Sequence, residues 1–282
     1  MTRDESRLGE GEAQAPTPST LTFLKLGGSL ITDKARPRTP RPEVLARLMA
    51  EIAAARAARP DLAVVLGHGS GSFGHVEGKK YGTRLGVRTP EQWRGYAEVQ
   101  WAANLLNRLV VDAARAAGLP VVNCPPSASA VCRDGVLEAL ALAPIEAALA
   151  HGLLPVVQGD VAVDTVRGGT IVSTEDVFGY LAPRLRPARV LLAGLERGVL
   201  ARWPDGDVIP EVRALGGAPL AAVGGAHTAD VTGGMEAKVR ETLALTAGVP
   251  GCEALIFSGE TPGHVRRALL GEAVEGTRLR GG

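Results

Sequence analysis

Two lysines nine residues apart, Lys25 and Lys34, flank a glycine pair at Gly27 and Gly28. Because glycine has no side chain, the backbone N–H groups at such a pair can approach an anion closely. Lysine adds a compact positive charge that suits a phosphate. Transfer of a phosphoryl group needs fixed cations of this kind, since negative charge spreads over its equatorial oxygens in the transition state. The segment therefore indicates a phosphate site rather than a solvated turn.

A second glycine-rich segment, Gly67–His75, follows a predicted strand. Its glycines Gly69, Gly71 and Gly74 match the G-x-G-x-x-G pattern of dinucleotide-binding proteins. That pattern requires a helix to open at the third glycine, and we expect none here because three more glycines interrupt residues 78–86. The chain also lacks the G-x-x-x-x-G-K-[ST] pattern of a P-loop. We interpret the segment as an anion-binding loop of another kind.

The histidine that closes this loop, His75, lies in a segment without arginine. The chain otherwise prefers arginine strongly, since 26 of its 31 basic residues are arginine and five are lysine. A carboxylate is well matched by the fork of an arginine side chain. A phosphate monoester presents three oxygens around a tetrahedral centre and nearly two negative charges, so it needs donors from several directions. The composition of the loop therefore favours a phosphate acceptor, with His75 donating a hydrogen bond from the side.

Three later segments carry charged side chains at predicted element boundaries. Gly159 and Asp160 follow a predicted strand, where a carboxylate can hold lysines in place or bind Mg²⁺. The segment Asp230–Met235, followed by Lys238, combines a glycine-rich helix start with a lysine, which is typical of a phosphate site. Ser173–Asp176 is interpreted chiefly as a helix N-cap with acidic residues in the first turn.

Short apolar runs alternate with helical stretches along the chain. This alternation predicts an α/β fold, an open αβα sandwich around a central, mostly parallel sheet. In such sheets ligands bind beyond the carboxyl ends of the strands, next to which several of these segments lie. The predicted strands are Leu21–Leu26, Leu62–Gly67, Pro120–Asn123, Leu153–Gln158, Val190–Ala193 and Ala254–Phe257.

Helix boundaries are marked by prolines, glycines and a capping pattern. Thr89–Gln92 has the form of a capping box with proline at the first helical position, and it opens a long helix that stops at Gly118. The other predicted helices cover Pro42–Arg59, the residues from Met235 to about Gly248, and the residues after Pro262.

Length and composition limit the classes of function. A chain of 282 residues with 45% hydrophobic residues can form one domain over residues 21–282, and we expect the polar residues 1–20 to be a disordered leader. The net charge of +1 argues against a nucleic acid or a membrane held by bulk charge. Three cysteines without a zinc spacing, and no apolar run of about 18 residues, favour a reduced cytoplasmic setting without a membrane span.

Together these segments resemble the isopentenyl phosphate kinases, a branch of the amino acid kinase family. The similarity covers about residues 21 to 270 in the family's order. The first segment alone marks only the superfamily, whereas the combination is more specific. The segments that carry the resemblance are Lys25–Ser29, Ile31–Lys34, His68–His75, Gly159 with Asp160, and Asp230–Met235.

The resemblance implies that ATP, with Mg²⁺, phosphorylates isopentenyl phosphate, and also dimethylallyl phosphate, to the diphosphate in isoprenoid biosynthesis. It implies a homodimer in which the amino-terminal half of each chain binds the prenyl monophosphate and the half from about residue 185 binds ATP. It leaves the metal ligands unknown.

Site residues follow by position from the same resemblance. The residues expected at ATP are Lys25, Leu26, Gly27, Gly28, Ser29, Gly71, Gly234 and Lys238. Those expected at the acceptor are Ser70, His75 and Gly159. Lys34, Lys25, His75 and Asp160 are the expected catalytic residues, with Lys34 at the transferred phosphoryl group and Asp160 orienting the lysines. Independently of the resemblance, the long helix follows the His75 loop directly, so part of one stripe of it is expected to wall the pocket for the acceptor's tail. That stripe contains Trp93, Ala97, Gln100 and Asn104, with Tyr96 and Ala103 beside it.

Two departures from the family pattern leave alternatives open. Ser70 stands where relatives usually have glycine or alanine, and Gly194–Gly198 replaces an Asp-Val-Asp-Gly pattern, with Glu196 as a substitute acid. One alternative is a fosfomycin-type kinase of the same fold. The others are an oxidoreductase that binds NAD(H) and a nucleotide-binding module without catalytic activity.

Overall fold

Thirteen strands and eight helices make up the described part of the chain. The computed structural model describes residues 21–203, 205–215, 218–222 and 233–281; the expected leader and Asp230–Thr232 lie outside the described residues. The strands are β1 (Thr22–Leu26), β2 (Val64–His68), β3 (Val121–Asn123), β4 (Val131–Arg133), β5 (Val136–Ala139), β6 (Leu154–Gln158), β7 (Asp160–Asp164), β8 (Gly168–Val172), β9 (Arg189–Gly194), β10 (Glu211–Leu215), β11 (Ala218–Ala222), β12 (Glu253–Ser258) and β13 (Gly276–Arg280). The helices are α1 (Gly28–Ile31), α2 (Pro42–Ala58), α3 (Gly71–Tyr81), α4 (Pro90–Ala116), α5 (Ala143–Ala150), α6 (Thr174–Leu185), α7 (Gly233–Ala247) and α8 (His264–Leu270).

Nine of the strands form one sheet in the order β11-β10-β13-β12-β9-β1-β2-β6-β3. The six from β12 to β3 are all parallel to their neighbours, whereas β13 runs antiparallel to β12 and β11 runs antiparallel to β10. The six predicted strands are the six of this parallel block, so the prediction of a mostly parallel sheet is confirmed. The carboxyl ends of these strands share one edge, which is where ligands bind in such sheets.

Helices cover both faces of the sheet. In β1, Phe23 points to one face and packs against Phe178 of α6, with ring centroids 4.9 Å apart. Its neighbours Leu24 and Leu26 point to the other face and share a core with Leu48 of α2. Side chains that alternate between two apolar layers are typical of a strand buried on both faces. The predicted αβα sandwich is therefore confirmed.

A second sheet of four short strands, in the order β5-β4-β7-β8, packs against α4. Sequence analysis did not predict it, because its strands of three to five residues carry no long apolar run. Strands β7 and β8 form an antiparallel hairpin that pairs Asp160 with Val172 and Asp164 with Gly168. The open end of this hairpin therefore brings Asp160 next to the start of α6.

The two helix starts predicted from capping patterns are present. Thr89 accepts a hydrogen bond from the backbone N–H of Gln92, whose side chain accepts one from the backbone of Thr89. Ser173 and Asp176 form the same reciprocal pair at the start of α6. Such boxes satisfy backbone N–H groups that a helix otherwise leaves without partners. The second box fixes the first turn of α6, which carries Glu175.

The expectation that no helix follows the second glycine loop is wrong. Helix α3 runs from Gly71 to Tyr81 and contains two further glycines in its interior. Each interior glycine costs about 1 kcal/mol relative to alanine, so tertiary packing must stabilise this helix. Gly95 of α4 supplies close packing, because a Cβ atom there would lie 2.2 Å from Cγ of Tyr81. The helix ends at Gly82, which adopts the left-handed conformation with φ of 62°.

The described residues contain neither a membrane-spanning helix nor a disulfide bond. No helix there is both long and apolar enough to cross a bilayer. The three cysteines are unpaired. Burial raises the pKa of Cys132 to about 11 and that of Cys252 to about 12, so both thiols stay protonated at neutral pH.

Candidate active site

Lys25 sits near the carboxyl end of β1, and the packing of α6 determines its partner. In the parallel register, Lys25 lies opposite Gly67 of β2. There is no room for a side chain at Gly67, because α6 packs directly on it. A Cβ atom there would be 2.6 Å from Cγ2 of Thr174 and 2.7 Å from Cζ of Phe178. This close approach brings the first turn of α6 to the end of β1, so that Glu175 meets Lys25.

The Nζ atom of Lys25 donates a hydrogen bond to Oε1 of Glu175 and forms an ion pair with it. Both side chains are largely buried. Burial by itself raises the pKa of Glu175, but the charge and hydrogen bond of Lys25 outweigh it, and Lys238 adds to the attraction, so the pKa is lowered. Glu175 is therefore ionised at neutral pH and holds the Lys25 ammonium in place.

Lys238 of α7 and Lys34 complete a group of cations with Lys25, which we call the lysine cluster. Burial lowers the pKa of Lys238 first, and the positive charges of Lys25 and Lys34 lower it further, against the opposing effects of Glu175 and Glu196. All three lysines line the same two cavities, although they come from distant parts of the sequence. Like charges around one cavity favour the binding of a polyanion, because an anion relieves their repulsion.

Two cavities meet at the lysine cluster. The larger cavity has a volume of about 660 Å³ and extends towards α3 and α4. The smaller cavity has a volume of about 450 Å³ and extends towards β9 and the residues after it. The residues that line both cavities are Lys25, Gly28, Ser29, Lys34, Glu175, Gly234 and Lys238. The shared wall therefore consists of the lysine cluster, its carboxylate partner and small residues.

The two glycine-rich loops of the sequence pack directly against each other. A Cβ atom on Gly28 would lie 2.4 Å from the nitrogen of Gly71, and one on Gly69 would lie 2.9 Å from the nitrogen of Gly28. Gly71 adopts φ of 50°, and a Cβ atom there would meet the hydroxyl of Thr32 at 2.2 Å. These glycines are therefore required for loop-to-loop contact as well as for an anion.

Several N–H groups of the second loop already have partners within the protein. The N–H of Gly69 donates to the carbonyl of Leu26 at 3.0 Å, and that of Ser72 donates to Oγ1 of Thr32 at 3.0 Å. The N–H groups of Phe73 and Gly74 donate to the carbonyl of Ser70. These N–H groups are therefore engaged within the protein, and the expectation that the loop binds an anion through its backbone stays a prediction.

Asp160 differs from the expectation that it orients the lysines. Its carboxylate accepts hydrogen bonds from the N–H groups of Val161 and Ser127 at 2.9 and 3.2 Å and from Nε2 of Gln158 at 3.3 Å. Burial raises the pKa of Asp160 and outweighs these hydrogen bonds, which lower it. The carboxylate partner of Lys25 is Glu175 instead. Sequence analysis assigned that residue chiefly to helix capping, because the register that joins it to Lys25 spans 150 residues.

The remaining expected residues line one or both cavities, with two exceptions. Gly28, Ser29, Gly234 and Lys238 line both cavities, Gly27 lines only the smaller one, and Ser70, Gly71, Gly159 and Asp160 line only the larger one. The side chain of Leu26 is buried in the core, so an ATP contact from this residue would have to involve its backbone. His75 lies in α3, and its side chain lies outside the described residues.

Part of the wall of the larger cavity is apolar. This part includes Val99 and Ala103 of α4 and Ile171 of β8. The long helix does form a wall of this cavity, and Ala103 belongs to the expected stripe whereas Val99 does not. Trp93 and Tyr96 of that stripe pack on each other instead, with ring centroids 5.2 Å apart. Which residues face the cavity depends on how α4 crosses the second sheet, and that sheet was not predicted.

Two cations at the rim of the larger cavity were not among the expected residues. Lys79 and Arg84 both line it. Arg84 also lies 3.7 Å from the carboxylate of Asp176. The second loop itself has no arginine, but the cavity beside it does, so the argument from loop composition is weaker in the folded protein than in the sequence.

A mostly parallel sheet with three lysines that line two cavities at its carboxyl edge suits a protein that binds phosphate-bearing molecules. The chain belongs to the amino acid kinase family, whose sequence profile matches residues 20–258. The resemblance found in the sequence is therefore confirmed at the level of the family.

Individual proteins of this family are similar to nearly the whole chain. The chain is 36% identical over 273 residues to an isopentenyl phosphate kinase from Methanothermobacter thermautotrophicus, which covers 93% of this chain and 99% of that protein. It is 41% identical over 254 residues to an isopentenyl phosphate kinase from Haloferax volcanii, covering 88% and 99% of the two chains. An X-ray structure of an isopentenyl phosphate kinase matches the fold with a TM-score of 0.78 and 32% identity over 92% of this chain and 99% of that one.

Proposed function

We propose that this protein is a kinase that transfers the γ-phosphoryl group of ATP to isopentenyl phosphate. The observation that carries the proposal is the lysine cluster, which lies where two cavities of different character meet. The similarity to isopentenyl phosphate kinases over nearly the whole chain supports the same reaction. Dimethylallyl phosphate, which has the same charge and carbon number, is proposed as a second acceptor.

ATP is proposed to occupy the smaller cavity, with its phosphates at the lysine cluster. Gly28 and Ser29 open α1, and the first N–H groups of a helix have no partner within it. Both residues line this cavity together with Lys25 and Lys238. Backbone donors and two ammonium groups from opposite sides suit a chain of phosphates.

Magnesium is proposed to bind together with the nucleotide. Within the described residues, no three His, Cys, Asp or Glu side chains are grouped so that they could hold a metal ion. Mg²⁺ commonly binds through substrate phosphates, waters and one or two carboxylates. Glu175 and Asp160 line the larger cavity and fit that limited role. An ion bound in this way would neutralise charge on the phosphates.

The prenyl monophosphate is proposed to occupy the larger cavity. Ser70 and Gly159 line it beside the lysine cluster, and Val99, Ala103 and Ile171 provide an apolar wall for the hydrocarbon. Burial of a short apolar chain against such a wall is favourable by roughly 0.8 kcal/mol per CH₂ group. A fosfomycin-type acceptor would need only a smaller apolar pocket, so the extent of this wall favours a prenyl chain.

During transfer, an oxygen of the acceptor phosphate attacks the γ-phosphorus while the bond to the leaving ADP breaks. No general base is required, because a phosphate monoester is already ionised at pH 7. Lys34 lies exposed in the turn after α1 and is assigned to the charge that develops on the transferred group. Glu175 keeps Lys25 oriented towards the phosphates. His75 is assigned to a hydrogen bond with a non-transferring oxygen of the acceptor.

A panel of acceptors tests the proposal directly. ADP release is measured for isopentenyl phosphate, dimethylallyl phosphate, fosfomycin, glutamate and aspartate at equal enzyme concentration. We expect kcat/KM to be highest for the two prenyl monophosphates. A higher kcat/KM for fosfomycin or for an amino acid would assign the chain to another branch of its family.

The assembly and the compartment remain proposals. A homodimer is proposed from the family resemblance, and light scattering after size-exclusion chromatography measures it. A reducing, cytoplasmic setting is proposed because the three cysteines are unpaired and two of them are buried.

A further inference from the structure

Trp203 is a large aromatic side chain left 45% exposed at the edge of the smaller cavity. Leu195, which lines the same cavity, is 42% exposed. Single exposed apolar residues need no explanation, but two that line one cavity are an apolar surface available to a ligand. Neither residue is used in the roles assigned above to the lysine cluster.

The lining of the smaller cavity is of two chemical kinds. Three lysines, Lys25, Lys34 and Lys238, suit a polyanion. Apolar side chains also line it, and they are Leu195, Leu200, Trp203 and Met235. A ligand that matches both kinds of lining carries anionic groups together with a flat aromatic group. A nucleoside triphosphate has this form.

We propose that Trp203 is the platform on which the base of the nucleoside triphosphate stacks. The proposal rests on the assignment of ATP to the smaller cavity. Indole is the largest aromatic face that a protein offers, and stacking of a base on such a face strengthens binding by about 5- to 150-fold, as judged from alanine substitutions. Stacking uses the π-face of the base and not its hydrogen-bonding edge, so Trp203 contributes to ATP and GTP alike.

The local sequence is consistent with this role. Trp203 follows the stretch Gly194–Gly198, four of whose residues line the same cavity. In this stretch Leu195 gives the cavity an apolar surface, and the charge of Glu196 acts on Lys238. With apolar side chains beside the base, stacking is an interaction that this lining provides.

Calorimetric titration separates the base from the phosphates. Wild type, Trp203→Ala and Trp203→Phe are titrated with a non-hydrolysable ATP analogue, the GTP counterpart and inorganic tripolyphosphate, which has no base. We expect Trp203→Ala to weaken both nucleotides about 5- to 150-fold and to leave tripolyphosphate unchanged. Trp203→Phe, which retains a ring, should lose less. The matched control is Trp101→Ala, since Trp101 is equally exposed but lies on α4 beside Arg38.

Fluorescence gives a second readout that does not depend on turnover. The chain has three tryptophans, so Trp93→Phe combined with Trp101→Phe leaves Trp203 as the sole indole. We expect saturable quenching of this indole by the ATP analogue and none by tripolyphosphate. Equal quenching by both ligands, or unchanged nucleotide affinity in Trp203→Ala, would overturn the stacking role while leaving the kinase activity intact. Failure of wild type to bind the ATP analogue would instead overturn the assignment of ATP and the stacking role together.

Discussion

The two ends of the β7–β8 hairpin hold buried carboxylates in opposite ways. At the turn, the carboxylate of Asp164 accepts four backbone N–H groups at 2.6–3.1 Å. Beyond the other end, Glu175 has a lysine as its partner and faces a cavity. Burial raises the pKa of each group, and partners lower it below the ordinary value in both cases. The direction of the pKa shift therefore does not distinguish a structural acid from a functional one, whereas the type of partner does.

This difference predicts how each end responds to substitution. Backbone amides cannot leave Asp164 when a ligand arrives, so its hydrogen bonds contribute to stability. The ammonium of Lys25 faces two cavities, so its ion pair with Glu175 determines where a positive charge meets a ligand. Substitutions at the lysine cluster should change catalysis and binding, and substitutions at the turn should change the free energy of unfolding.

The largest effect is expected at Lys34. Its charge is assigned to the transition state, and an interaction made only there affects kcat more than KM. Lys34→Met should lower kcat by about 10²–10³, the usual cost of losing one preorganised donor. Steady-state kinetics with isopentenyl phosphate measure it, and circular dichroism checks the fold. A kcat near that of wild type in a folded variant would remove Lys34 from the mechanism.

A smaller effect is expected for the lysines assigned to the phosphates of ATP. Lys25→Met and Lys238→Met should each weaken a non-hydrolysable ATP analogue by about 10- to 100-fold, since charge-assisted hydrogen bonds contribute about 1.5–3 kcal/mol. Affinity for isopentenyl phosphate should change less. Lys80→Met is the control, because Lys80 is exposed at the end of α3 and lies 4.7 Å from the ring of Tyr81. If both cluster variants bind the analogue like the control, the ATP assignment is wrong.

A substitution in the apolar wall of the larger cavity should have a similar or smaller effect, and it should affect only the acceptor. Ala103→Leu adds bulk to the larger cavity and should raise KM for isopentenyl phosphate by about 10-fold, since a few methylene groups in an apolar pocket change binding by 1–3 kcal/mol. Affinity for ATP should stay the same. Ala97→Leu, on an exposed position of the same helix, controls for effects on α4 itself. Equal acceptor kinetics in the two variants would move the hydrocarbon site elsewhere.

The smallest catalytic effect is expected at the turn of the hairpin. Asp164→Asn presents an amide N–H to backbone donors and should lower the free energy of unfolding by about 1–3 kcal/mol, with kcat almost unchanged. Because the pKa of Asp164 is lowered on folding, its contribution is complete above the ordinary carboxyl value of 3.8 and is lost as the pH falls below it. The difference in stability between wild type and Asp164→Asn should therefore shrink on acidification. A difference that does not depend on pH would contradict this account of the turn.

Sequence patterns predicted the elements whose signals are local. The six apolar runs became the parallel block of the sheet, and the capping boxes at Thr89 and Ser173 mark real helix starts. Helix α3 was missed because its glycines disfavour a helix locally, whereas packing against α4 stabilises it. The second sheet was missed because its strands are short.

The site was predicted to the extent that residue type alone identifies it. Lysines and glycines that occur together at strand ends indicate a phosphate-binding site. Choosing between Asp160 and Glu175 as the partner of Lys25 requires the register of β1 on β2 and the packing of α6 on Gly67, and neither follows from a local pattern. The same holds for Trp203, whose proposed role depends on which side chains border a cavity.

The most direct test of the central claim compares Glu175→Gln with Asp164→Asn under one set of conditions. Turnover of isopentenyl phosphate is measured at a temperature where circular dichroism finds both variants folded, with Glu175→Asp as the variant that keeps the charge. The account predicts that kcat falls about 100-fold in Glu175→Gln, the typical cost of a misplaced catalytic group, that it falls less in Glu175→Asp, and that it stays near wild type in Asp164→Asn. Wild-type kcat in folded Glu175→Gln, or an equal loss in Asp164→Asn, would contradict the claim that Glu175 positions the lysine cluster for phosphoryl transfer.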